Sequence, residues 1–244
     1  MKSKILIVVA CIATLNLAVA QTATEVLKKM DDVIYAPKDQ SISIKMTVFS
    51  KNGTTSIREA KTWQKDNDKR LFRFTSPASQ AGIGILSLPN DVMYLYMPAY
   101  EKERRIASSA KNQGFAGTDF SYDDMESKFY QEKYDAVSLK SENNLWILEL
   151  VPKPTNKTNY GKLIVAVGKE DNYPRTVQYY DKNNSQIKEL NNIKIEKKGT
   201  YWVATLFEMK DLKKGTKTQM EFTSVEYDKG LTDEEFSVRK LMQK

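Results

Sequence analysis

The run SISIKMTVFS, Ser41 to Ser50, alternates strictly. Ile42, Ile44, Met46 and Val48 fall on one face, and Ser41, Ser43, Lys45 and Thr47 on the other. Period two is the spacing of a strand with one buried face. Lys51-Asn52-Gly53-Thr54 then supplies an Asn-Gly hairpin turn, with a return strand from Ser56 to Trp63. The pattern repeats down the chain. Further strands read as KRLFRFTSP, GIGILSLP, VMYLYMP, KYDAVSLK, NLWILELVP, GKLIVAVGK, PRTVQYYD, IKELNNIKIEKK, YWVATLFEMKD and KTQMEFTSVEYD. Turn signals such as Pro89-Asn90-Asp91, Glu142-Asn143-Asn144 and Lys213-Lys214-Gly215 separate them. Strands in such succession, joined by short loops, predict a mainly β chain built as a large antiparallel meander. The clearest helical pattern is TATEVLKKMDDVI, with Thr22 or Thr24 as cap and Val26, Leu27, Met30 and Ile34 near helical spacing. No Pro-, Gly- or Ser-rich linker divides the chain, so residues 21–244 are expected to form a single domain.

Several central strands depart from clean alternation. VMYLYMP sets Met93, Leu95 and Met97 against Val92, Tyr94 and Tyr96, LWILELV is apolar on both sides, and LIVAV is apolar throughout. Strands of this kind need cover on each face. A sandwich meets that need. So does a curved sheet or barrel whose inner face is partly covered by protein and partly reserved for an apolar ligand. Periodicity leaves both open.

The first twenty residues have the form of a secretory leader. Lys2 and Lys4 give a positive start, Ile5 to Val19 an apolar core, and Ala18-Val19-Ala20 a small-residue site with cleavage expected before Gln21. Val8-Val9-Ala10-Cys11 has the residue types of a lipoprotein box, but cleavage there would leave a stub of apolar core and discard the better site downstream. Cys11 is the lone cysteine, and the chain has no histidine. The mature chain is therefore expected to hold no disulfide, thiol nucleophile or thiolate metal site. Without histidine, most hydrolase triads, zinc sites and haem sites fall away. Losing Lys2 and Lys4 takes the net charge from +7 to +5, with both signs interspersed, which reads as a solvated surface.

One stretch stands apart. FAGTDFSYDD, Phe115 to Asp124, packs two phenylalanines, a tyrosine and three aspartates behind the basic cluster KERRI. Asp119, Asp123, Asp124 and Glu126 lack the spacing of a calcium-binding hand. Carboxylate catalysis needs two acids held across a cleft. Ser121 to Asp124 reads more simply as the first turn of a short helix, where acids are stabilising without chemistry. KERRI, Lys102 to Ile106, reads as a solvated hairpin flank. Asn52, Asn156 and Asn183 match the glycosylation acceptor pattern in what read as chance turns. No phosphate-binding glycine loop, nucleophile elbow or nucleic-acid motif is present in the sequence.

From Phe72 to Met125 a proline precedes a glycine in a short apolar strand. A tyrosine-rich strand ending in proline follows, and then an arginine-rich turn leads into a phenylalanine–glycine–aspartate–phenylalanine motif. The positions are Pro77, Gly82 or Gly84, Tyr94, Tyr96, Pro98, Arg104, Arg105, Phe115, Gly117, Asp119, Phe120, Ser121, Tyr122 and Asp124. This order resembles the outer-membrane lipoprotein-sorting proteins of the LolA-like superfamily, in particular the branch found beside RND-type exporters. The closing segment Phe236 to Leu241 resembles the family's end more weakly.

The resemblance implies a strongly curved antiparallel sheet forming a half-open, unclosed β-barrel, with a few helices lidding the concave face. It implies a non-enzymatic periplasmic carrier or chaperone. Such a protein holds lipoprotein acyl chains or a related lipid in an apolar cavity, without cofactor or metal, and moves them toward the outer membrane. An inner-membrane transporter as donor, an outer-membrane acceptor and a monomeric carrier belong to that reading. The alternatives are an accessory protein handing a hydrophobic substrate to an RND-type exporter, and an envelope-stress sensor that binds a membrane-anchored regulator. Strand alternation points to Trp63, Phe72, Phe74, Ile85, Met93, Leu95, Met97, Trp146, Leu148 and Leu150 as cavity lining. The lid is expected at Arg104 to Asp124. There Phe115 and Phe120 would plug the mouth, Gly117 would allow the turn, Tyr122 and Asp124 would continue the motif, and Asp119 would pair with an arginine or cap the short helix.

Overall fold

The computed structural model describes residues 21–243; the expected leader and Cys11 lie outside them. The chain opens on a helix, α1 (Ala23–Ile34). Its start is fixed by a capping box in which Thr22 and Glu25 satisfy each other's free backbone N–H groups. Val26, Leu27 and Met30 share its buried face, each contributing roughly 1.5–3 kcal/mol by leaving water.

Six strands follow as a meander: β1 (Asp39–Phe49), β2 (Thr55–Lys65), β3 (Lys69–Ser76), β4 (Gly84–Leu88), β5 (Val92–Met97) and β6 (Lys102–Arg105). A crossover at residues 106–133 ends in the short helix α2 (Tyr130–Lys133). Seven more strands complete the sheet: β7 (Tyr134–Glu142), β8 (Leu145–Pro152), β9 (Tyr160–Gly168), β10 (Pro174–Asp181), β11 (Gln186–Lys198), β12 (Tyr201–Asp211) and β13 (Thr216–Tyr227). A 3-10 turn at Asp233–Phe236 and helix α3 (Val238–Met242) close the chain. Thus KERRI, read as a solvated flank, supplies an exposed edge strand, β6.

All thirteen strands form one antiparallel sheet in the order β6-β5-β4-β3-β2-β1-β13-β12-β11-β10-β9-β8-β7. The first and last strands of the chain's two meanders, β1 and β13, pair at its centre. The two free edges, β6 and β7, are joined by the crossover. Laid flat, such a sheet would span roughly 58 Å at the usual strand spacing of about 4.8 Å. Yet Ile85 and Met93 near one edge and Leu148 and Leu150 near the other belong to a single buried cluster, so the sheet curls around its contents without closing.

That cluster is the concave core. A second cluster, Leu71, Leu86, Tyr96, Phe236 and Leu241, lies on the convex side with Trp63 and Tyr94 packed against it. Here the C-terminal turn and α3 cover the outer face of β3 to β5, and Arg73 ties them down by donating to the carbonyls of Lys240 and Leu241. The doubly apolar β5 is thereby explained: Met93 and Leu95 face the concave core, Tyr94 and Tyr96 the C-terminal cover.

Candidate functional site

The FAGTDF segment is a tight loop laid inside the barrel. Phe115 N–H donates to the Phe120 carbonyl at 2.8 Å, and Thr118 N–H and hydroxyl both donate to the Phe115 carbonyl. Ala116 and Gly117 turn the chain at φ 48° and 70°, left-handed conformations that favour glycine at the second position. Two neighbours of β1 hold the tip. Arg58 on β2 donates to the Ala116 carbonyl. On β13, the Thr216 and Thr218 hydroxyls donate to the Asp119 carboxylate, and Asp119 N–H donates back to Thr218 Oγ1 at 3.0 Å. The loop is strapped across β1.

Asp119 therefore pairs with threonines, not with an arginine or a helix end. Nor do Ser121 to Asp124 begin a helix. They form a turn in which the Asp124 carboxylate accepts from Ser121 N–H at 2.7 Å and its hydroxyl at 2.8 Å. The α2 helix is capped from elsewhere. Asp31 of α1 does this, accepting from Tyr130 and Gln131 N–H at 2.9 Å each. Burial raises the Asp31 carboxyl to about 6, against the pull of those two amides.

Phe115 is buried between β3 side chains, stacked on Phe74 at 5.5 Å and edge-on to Phe72 at 5.6 Å. It belongs to the concave core, and Tyr122 leans on it at 5.9 Å. Phe120 points the other way, into a cavity, where it meets Phe207 edge-on at 6.3 Å. Arg104 and Arg105 stand exposed on β6, apart from the plug, although Arg104 is near enough to oppose the rise that burial imposes on the Tyr122 hydroxyl.

The cavity has a volume of about 280 Å³ and lies beneath the sheet's middle strands. Its apolar wall comes from Ile42 and Ile44 of β1, Leu163 of β9, Val177 of β10, Leu190 of β11, Phe207 and Met209 of β12, and Met220 and Phe222 of β13. The end of α1 and the crossover roof it with Ile34, Tyr35, Phe120, Met125 and Tyr130. A charged rim closes the crossover side. Lys133 Nζ sits 2.6 Å from Asp123 and 3.3 Å from Glu126; Lys111 reaches Glu126 at 2.7 Å, and Lys188 reaches Asp124 at 3.3 Å. Burial pushes Glu126 up, but Lys133 and Lys111 together outweigh it and hold the carboxyl below its ordinary value. Each of the four acids singled out in the sequence is thus engaged by lysine, serine or threonine.

Of the residues expected to line the cavity, Phe72 does. Trp63 lies on the convex face against the C-terminal cover, because β2 presents its neighbours Thr62 and Gln64 inward. Phe74, Ile85, Met93, Leu95, Leu148 and Leu150 face the concave side but are packed shut within the core, with Met97 and Trp146 at its margin. Alternation reports the face of a strand, not which part of that face stays hollow. The missed wall on β1 was legible as the inward row Ile42 and Ile44. Arg70 also carried a signal, since KRLFRF puts it in one row with Phe72 and Phe74.

Among the described residues no helix is long and apolar enough to cross a membrane. A family model described as an uncharacterized protein matches residues 66–243. No protein of curated function matches by sequence. Solved structures do. A DUF1329 family protein from Desulfovibrio piger superposes with a TM-score of 0.83 at 26% identity, over 90% of this chain and 97% of that one. A domain assigned to outer membrane lipoprotein sorting from Vibrio parahaemolyticus gives 0.80 at 24% identity, over 91% and 100%. A LolA superfamily protein from Nitrosomonas europaea gives 0.75 at 18%, also over 91% and 100%; these last two bear on the fold. By the match over residues 66–243 the chain belongs to the family of that model, and it shares a half-open antiparallel barrel fold with those solved structures.

Proposed function

We propose that this chain is a non-enzymatic periplasmic carrier that takes the acyl chains of lipoproteins, or of a related lipid, into the concave cavity and moves them toward the outer membrane. The observation that carries this reading is the cavity itself: a hollow of about 280 Å³ with an apolar wall and a charged rim, bordering the packed concave core. An acyl chain gains about 0.8 kcal/mol for each buried CH₂, so such a hollow holds a lipid by burial alone. The likeness to a domain named for lipoprotein sorting points the same way.

Native mass spectrometry of the protein purified gently from a Gram-negative periplasm, followed by lipid extraction, tests it. A co-purifying acyl lipid is expected. It should be lost in Leu190→Trp, which fills the cavity from a half-buried wall position, in a protein whose unfolding midpoint is unchanged. An empty mass, with no uptake of added lipopeptide, would show the cavity to be a packing defect and end the carrier reading.

A further inference from the structure

Six charged side chains line the cavity, and five of them have a counter-charge within 4 Å. Asp123, Glu126 and Lys133 pair among themselves, Asp124 with Lys188 and Lys128 with Asp91. The sixth is Arg70, and among the described residues no carboxylate lies within that distance of it.

Arg70 Nε and Nη2 both donate to Gln64 Oε1, at 3.2 and 2.6 Å, and Nη1 donates to the Met125 carbonyl at a long 3.4 Å. A guanidinium has five N–H groups; these three contacts leave two. Both acceptors are neutral oxygens, so the three hydrogen bonds orient the group without neutralising it. Burial draws Arg70 below its ordinary value, with Tyr35, Glu126 and Tyr130 acting against that, but an arginine stays charged in a protein. A buried cation that no carboxylate neutralises is unfavourable, and a bound anion would relieve it. The planar fork with free N–H groups is the geometry that carboxylate and phosphate oxygens match.

We propose that the cavity takes an amphiphile with an anionic oxyacid head, whose oxygens accept from Arg70 while its chain lies along Ile44, Val177, Met220 and Phe222. The inference rests on the carrier reading and narrows its cargo. An acyl anchor joined through ester, amide and thioether bonds has no charge to offer Arg70. A volume of about 280 Å³ lies just under the roughly 300–1,000 Å³ range of small-molecule sites, which matches one chain better than several.

The test is calorimetric titration of the delipidated full chain with dodecanoate, dodecyl phosphate and methyl dodecanoate, which share a chain and differ in the head. One of the two anions should bind about tenfold or more tightly than the ester, the factor that about 1.4 kcal/mol supplies. The anion that binds tighter identifies the head as carboxylate or phosphate. Arg70→Gln should bind the ester as before and lose the preference; Arg70→Lys should restore part of it. The probe comparison in the unaltered chain stands even if a variant fails to fold. Equal affinity for ester and anions would overturn the anionic head and leave the carrier standing. Binding of none of the three, in a chain that also carries no lipid from the cell, would overturn both.

Discussion

Strands β4, β5 and β8 turn apolar rows toward the concave face, and so do strands β10 to β13. The first group is packed shut and the second borders a cavity. Composition does not separate them, since Met93 and Leu95 on β5 are no more apolar than Val177 on β10 or Met220 on β13. What differs is the chain laid on top. Near β4 and β5 the crossover inserts Phe115 into the aromatic contacts of Phe72 and Phe74. Near β8 the helix α1 lies against the sheet with Val26, Leu27 and Met30 buried. Over the middle strands the same crossover brings Asp123, Asp124 and Glu126 in among Phe120, Met125 and Tyr130, and these acids remain in their ion pairs because settling unpaired onto an apolar wall would cost more than the contact returns. An apolar strand face thus becomes core or cavity according to the chemistry of the segment opposite.

The sharpest way to break this comparison is to delete one ring from each region. Phe115→Ala should lower stability by about 3–5 kcal/mol, the usual range for a fully packed phenylalanine. Phe222→Ala, on a wall that already faces empty space, should cost about 1 kcal/mol, because fewer contacts are lost. Urea unfolding of both variants decides it, and equal losses would mean the cavity collapses in solution.

The Asp31 contact between α1 and the crossover gives the next effect, through pH. The Asp31 carboxyl titrates at about 6 in the fold and near its ordinary value of 3.8 when unfolded. Between those values the folded chain binds the proton that the unfolded chain has released, so stability falls as pH rises through the window. The contribution is about 3 kcal/mol at about 1.4 kcal/mol per unit. Asp31→Asn should lack that increment, and the difference between the two chains' unfolding free energies at pH 4 and pH 7 measures it.

Asp119→Asn should cost about 1.5–3 kcal/mol by weakening hydrogen bonds to a buried charged acceptor. Amide exchange between Phe115 and Phe120 should quicken as the loop loosens from β13; unchanged exchange would mean that the Arg58 contact alone holds the strap. Arg104→Ala with Arg105→Ala bounds the comparison from below. Both arginines are exposed on an edge strand, so stability should stay within about 0.5 kcal/mol, and lipid uptake should not change.

Much of the fold can be read directly in the chain. The Asn-Gly turn after Ser50 and the capping box at Thr22 use contacts only a few residues apart, and both stand where the local signals put them. The strands follow from a period-two repeat that needs no knowledge of partners. Where reading fell short, the deciding contact was remote. Trp63 faces outward because residues near 240 cover that side of the sheet. Asp119 finds its partners nearly a hundred residues away on β13.

The amino-acid order alone determined that this protein is an antiparallel meander with an aromatic, acidic interruption, because strands and turns answer to neighbours in sequence. The tertiary structure decided where the interruption lies, which stretch of the concave face stays hollow and which cation is left without a partner. Each of these depends on the curl that brings β1 to β13 and lays the crossover between the sheet's two free edges, and no local pattern encodes distances across that curl.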